Sequence, residues 1–70
     1  MAIAPNKRLA DHVFGKAQAA GQQYVTVVEK GALNVEQHTE FLNRAFGLGY
    51  RLHSIFEQRD NTVMVFERWR

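Results

Sequence analysis

Cysteine is absent from the 70 residues, so no disulfide can staple this chain and the usual thiolate zinc sites are excluded. A cysteine-free composition fits a reducing compartment, and a cytoplasmic protein is expected. Long apolar runs are also missing. None approaches the ~20 residues of a membrane-spanning helix. The opening segment MAIAPNKRLADHVFGK lacks the continuous apolar stretch of a secretory signal. Charge of one sign is scarce: nine Lys and Arg against seven Asp and Glu leave a formal +2. Only Lys7 with Arg8, and Arg68 with Arg70, stand close together, whereas nucleic-acid modules gather basic residues on one face.

What is present reads as one small globular domain. Apolar residues make up 46% and charged residues 23%, a balance outside the disordered range. A chain this short buries only ~60% of its unfolded surface. A single core of this size rarely supplies more than ~3–5 kcal/mol, so a partner is the natural source of further stability.

Pro5 precedes Asn6, a good helix N-cap. Behind it Leu9, Ala10, Val13, Phe14 and Ala17 recur at helical spacing, and Gly21 is placed to end the helix. Tyr24-Val25-Thr26-Val27-Val28 is β-branched and aromatic, which predicts a strand closed by Lys30 and Gly31. Asn34 and Gln37 form a capping-box pattern for a second helix. Its stripe is Val35, His38, Phe41, Leu42, Ala45 and Phe46, and Gly47 and Gly49 break it. Tyr50 to Glu57 and Thr62 to Trp69 then read as two strands around the turn Gln58-Arg59-Asp60-Asn61. Strict alternation puts Leu52, Ser54 and Phe56 on one side of the first of these, with Arg51, His53 and Ile55 on the other.

The expected fold is α+β: a helical extension over residues 1–21, then strand, helix, strand, strand over residues 22–70. The last strand is apolar on both sides and therefore belongs in the middle of the sheet. A right-handed crossover makes the outer two strands parallel, which gives the order 1-3-2. The second helix covers one face. The other must be covered by the N-terminal helix, through Leu9, Val13, Phe14 and Ala17, or by a second subunit.

From Tyr24 onward three segments resemble the short bacterial family catalogued as domain of unknown function 4177. YVTVVEKG is similar to its opening strand. Gly49-Tyr50-Arg51-Leu52-His53-Ser54 resembles its Gly-Trp-x-Leu-x-Ser run, with Tyr50 in the tryptophan position. NTVMVFERW is similar to its closing strand. The helical extension departs from the family pattern. The resemblance implies a strand-helix-strand-strand fold and no activity, cofactor or binding residue.

The residues offer little to catalysis. Ser54 is the only serine, and alternation sends it and His53 to opposite faces, so they form no dyad. His12, His38 and His53 show neither H-x₃-H nor HExxH spacing, and no metal site or cofactor is expected. His38 is expected at the border of the buried stripe with one ring nitrogen hydrogen-bonded. Pairing Gln58 with Asn61 places Glu57 opposite Thr62 and Glu67 near Leu52, so the two acids do not meet. Gly47 and Gly49 feed a strand, which excludes a phosphate-binding loop. A non-enzymatic protein is expected.

Three surfaces remain as candidate interfaces. One is the second sheet face with Leu9, Val13 and Phe14. Another is the C-terminal run Arg68, Trp69 and Arg70, of the residue types enriched in binding hot spots, unless Trp69 folds back over the sheet. The third is the edge strand beginning at Tyr24, which has fewer charges than the other edge. They point to a protein-interaction module pairing with itself, as a homodimer, or with a larger protein as accessory or inhibitor. The alternative is nucleic-acid binding through an aromatic and basic surface. That reading is weakened if Phe56 and Phe66 are both needed for the core.

Overall fold

The structure, a computed structural model, describes residues 7–30 and 35–70. Its elements are α1 (Lys7–Ala19), β1 (Tyr24–Lys30), α2 (Val35–Gly47), β2 (Tyr50–Gln58) and β3 (Asn61–Arg68). Asn6 and Asn34, the expected caps, lie outside the described residues. The end of α1 is a Schellman motif: Gln22 N–H donates to the Ala17 carbonyl and Gly21 N–H to that of Gln18. Gly21 sits at φ +71°, a conformation that costs glycine nothing.

The sheet has the order β1-β3-β2, with β3 antiparallel to both neighbours. From Tyr24 onward the order is strand, helix, strand, strand, as expected for the fold. The four-residue turn of the hairpin closes tightly. Gln58 pairs with Asn61, and only Arg59 and Asp60 turn the chain, at φ 50° and 63°. Two successive positive φ values give the primed turn whose twist matches that of the strands.

A β-bulge between Leu52 and Ser54 changes the sides of β2. Before it Leu52 stands opposite Phe66, and after it Ile55 stands opposite Met64. Leu52 and Ile55 thus share the helix-covered side, while Ser54 and Phe56 take the other. Phe56 is 49% exposed. The expected core role of Phe56 is therefore corrected, and so is the expectation that Ser54 and Phe56 share a side with Leu52. One extra residue in the strand reverses everything on one flank of it. It also brings Arg51, rather than Leu52, opposite Glu67; the expected pairing of Glu57 with Thr62 is found.

Both helices lie on one side of the sheet. Ala10, Phe14 and Ala17 of α1 join Phe41 and Ala45 of α2 and Val25, Tyr50, Met64 and Phe66 of the sheet in one core. The centre is Phe14, fully buried, with ring centroids 4.7 Å from Phe66, 5.4 Å from Tyr50 and 5.5 Å from Phe41. At these separations and tilts each aromatic pair adds about 0.5–1.5 kcal/mol to the burial itself. Asp11 of α1 accepts a hydrogen bond from Arg44 of α2, tying the helices together at the surface. The first helix is thus an integral part of the domain. The expectation that this helix covers the far face, the alternative to a second subunit there, is overturned, because its apolar stripe is used up against α2 and the near side of the sheet.

Candidate interaction surface

The far side of the sheet is covered by no described element. The alternation of β1 presents Tyr24, Thr26, Val28 and Lys30 there, β3 presents Val63, Val65 and Glu67, and β2 presents Arg51, Ser54 and Phe56. The surface has two ends of different chemistry. At one end Val28, Val63 and Phe56 form a cross-strand row. Val28 is 59% exposed and Phe56 49%, whereas Val63 between them is buried.

The other end is polar. Tyr24 Oη donates to Glu67 Oε2 at 3.1 Å, and Arg51 Nη2 donates to Glu67 Oε1 at 3.1 Å. The Arg51 hydrogen bond, helped by that of Tyr24, holds the Glu67 carboxyl below its ordinary value. Donating to the same carboxylate pushes the Tyr24 phenol up. The His53 ring stands 6.1 Å from that of Tyr24. His53 therefore shares this side with Ser54, because the bulge suspends alternation between them. The argument from strand geometry against a dyad fails, but among the described residues no hydrogen bond joins the two side chains.

The two outer strands differ as edges. β2 is interrupted by its bulge, a feature that discourages further pairing. β1 is seven residues of unbroken strand with no proline and charges only at Glu29 and Lys30. The Arg68 N–H donates to the Gln23 carbonyl at 2.8 Å, which makes that pair hydrogen-bonded toward β3. By antiparallel alternation Val25, Val27 and Glu29 also turn their main-chain groups to β3, while Tyr24, Thr26, Val28 and Lys30 turn theirs to the free edge. Beside this edge, under α1, lies a hollow of about 260 Å³ with Val13, Ala17 and Val25 among its walls and His12 and Lys16 on α1.

Glu29 is buried on the helix side of β1, and its Oε2 has no hydrogen-bond partner. Burial pushes its carboxyl above the ordinary value of 4.5, against the opposing pull of His38. His38 borders the helix stripe as expected and is half-buried, but its Nδ1 is buried without a partner.

Of the seven residues expected at interfaces, Phe14 is wholly internal and Leu9 and Val13 pack against the core. Tyr24 is 54% exposed on the uncovered side. Trp69 stacks on Phe46 with centroids 4.6 Å apart and donates from Nε1 to the Phe46 carbonyl at 2.9 Å. Arg70 lies 5.4 Å over the Trp69 ring and donates to the Gly47 carbonyl at 3.1 Å, and Arg68 Nε donates to the Arg70 carbonyl. The C-terminal run folds back onto the end of α2, where its cations meet the negative pole of the helix. The residues that sequence reasoning missed are Val28, Val63 and Phe56. Only knowledge of the bulge would have brought Phe56 into that row.

Among the described residues no three His, Asp or Glu side chains gather as metal ligands, and no helix is long and apolar enough to cross a membrane. Comparison with protein-family models, with curated proteins and with solved structures finds no match.

Proposed function

We propose that this protein is a non-enzymatic association module that docks the uncovered side of its sheet on another protein surface, a copy of itself in the simplest case. One observation carries the reading: both helices pack on the same side, leaving Val28 and Phe56 in the open around Val63. Covering what remains exposed of Val28 and Phe56 stabilises an assembly by roughly 1 kcal/mol apiece. In this reading the module works in the cytoplasm, as an accessory or inhibitor of a larger protein if not as a homo-oligomer. The test is sedimentation equilibrium at micromolar concentration with Phe56→Ser beside the parent chain. The parent is expected to exceed the mass of one chain and the variant to fall toward it. Equal masses for the two proteins would remove the face from the reading.

A second reading gains from the same correction. With Phe56 outside the core, Tyr24 and Phe56 are two exposed aromatics on one sheet face, near Lys30, Arg51 and His53. That is the outline of a stacking platform for single-stranded nucleic acid. Against it, Arg51 is already paired with Glu67. Fluorescence anisotropy of labelled oligonucleotides across a salt series discriminates, since phosphate contacts make binding fall steeply with salt.

A further inference from the structure

We propose that two copies of this chain pair through β1, antiparallel about a two-fold axis at Val27, so that Glu29 of each copy stands over the hollow beneath α1 of the other. The proposal rests on the self-association reading but assigns the contact to the strand edge rather than to the sheet face.

The main chain sets the register. Tyr24, Thr26, Val28 and Lys30 hold the free N–H and C=O groups, so a partner strand must present the same alternate set. A two-fold axis at Val27 does this over the whole strand: Tyr24 meets Lys30 of the second copy, and Thr26 meets its Val28. Val25 then faces Glu29 of the second copy as a non-hydrogen-bonded pair, the kind whose side chains lie closest.

The side chains agree with that register. Glu29 carries a buried carboxylate oxygen without a partner, an arrangement that costs stability until something satisfies it. Val25 lines the hollow together with Lys16 and His12. Cross-strand pairing of Val25 with Glu29 therefore brings a carboxylate with one oxygen lacking a hydrogen bond to a recess edged by two basic residues, twice over by symmetry. On the opposite side Lys30 comes beside Tyr24, whose neighbour across the sheet is Glu67. The bulged edge of β2 presents no such match.

The test measures dimer mass by sedimentation for Thr26→Pro, Lys16→Glu and the double variant Lys16→Glu with Glu29→Lys. Proline at Thr26 removes an N–H that points to the free edge and leaves the β3 ladder intact. It is expected to give one-chain mass with an unchanged far-ultraviolet dichroism spectrum. Lys16 is exposed, so its reversal tests the contact even if the proline variant fails to fold. It is expected to weaken association about tenfold or more, and the double variant to recover most of that loss. A folded Thr26→Pro that keeps two-chain mass overturns the edge contact. If Phe56→Ser nevertheless dissociates it, the face reading survives alone. Lys16→Glu without effect, where Thr26→Pro dissociates, overturns the register about Val27. One-chain mass for the parent overturns both self-association readings.

Discussion

Replacing Phe14 by alanine should come close to unfolding the domain. Phe14 is fully buried and sits against Phe41, Tyr50 and Phe66, so it links both helices to two strands. Phe→Ala at such a site costs about 3–5 kcal/mol, combining lost transfer energy with the cavity left behind. At about 0.05–0.15 kcal/mol per residue, a chain of this length has only about 3–10 kcal/mol in total. Phe14→Leu retains most of the volume and should cost about 1–1.5 kcal/mol, lowering Tm by roughly 5–10 °C. Urea titration followed by far-ultraviolet dichroism and by Trp69 emission measures both variants. Val35→Ala, at a position 78% exposed on the other helix, is the control and should stay within about 0.5 kcal/mol of the parent. If Phe14→Ala shifts the midpoint no more than that control, α1 is not docked as described and the single shared core is wrong.

Three further outcomes are expected. Gly49 has φ +97°, and a Cβ there would lie 2.8 Å from Oε1 of Gln18, so Gly49→Ala should lose about 1–3 kcal/mol in urea titration. Adding Gln18→Ala should recover only the steric part, since the backbone strain stays. Glu29 binds its proton more tightly folded than unfolded, because burial raises its carboxyl above 4.5. Stability should therefore decline as pH rises from the unfolded value through the folded one, and stay lowered above it. Glu29→Gln should flatten that window in urea midpoints taken across pH; parallel curves for the two proteins would refute the assignment. Finally, Arg59 and Asp60 hold positive φ without being glycine, so Arg59→Asn with Asp60→Gly should raise stability by about 0.5–1 kcal/mol in the same titration. No gain would mean that the turn is not the primed type.

Periodicity made the elements legible. Leu9, Val13 and Phe14 mark the inner stripe of α1, and the two-sided apolar character of Val63 to Phe66 placed β3 between the other strands. Two things were hidden for definite reasons. An amphipathic pattern says which stripe of a helix is buried but not what it is buried against, so nothing in Leu9 to Ala17 told one side of the sheet from the other. A bulge is one inserted residue with no required residue type, and His53-Ser54 announces it by nothing. Reading through it by strict alternation misplaces Ile55 and Phe56, and with them half of the candidate surface. The C-terminal run was read as an interface unless Trp69 folds back over the sheet; it folds back instead onto Phe46, a seat that depends on where α2 stops.

The strand order has a kinetic and topological corollary. β1 and β2 share no ladder, and each is hydrogen-bonded into the sheet only through β3. The β2–β3 hairpin closes locally, from Gln58 to Asn61, whereas Tyr24 must find Glu67 across most of the chain. Loop closure of that length is paid for only after the hairpin exists to receive it, which makes hairpin first, outer strand last, the low-entropy route. Until that final docking β1 is a β-branched segment with two unsatisfied edges, and cutting the chain anywhere before Asn61 would leave it with no sheet to join.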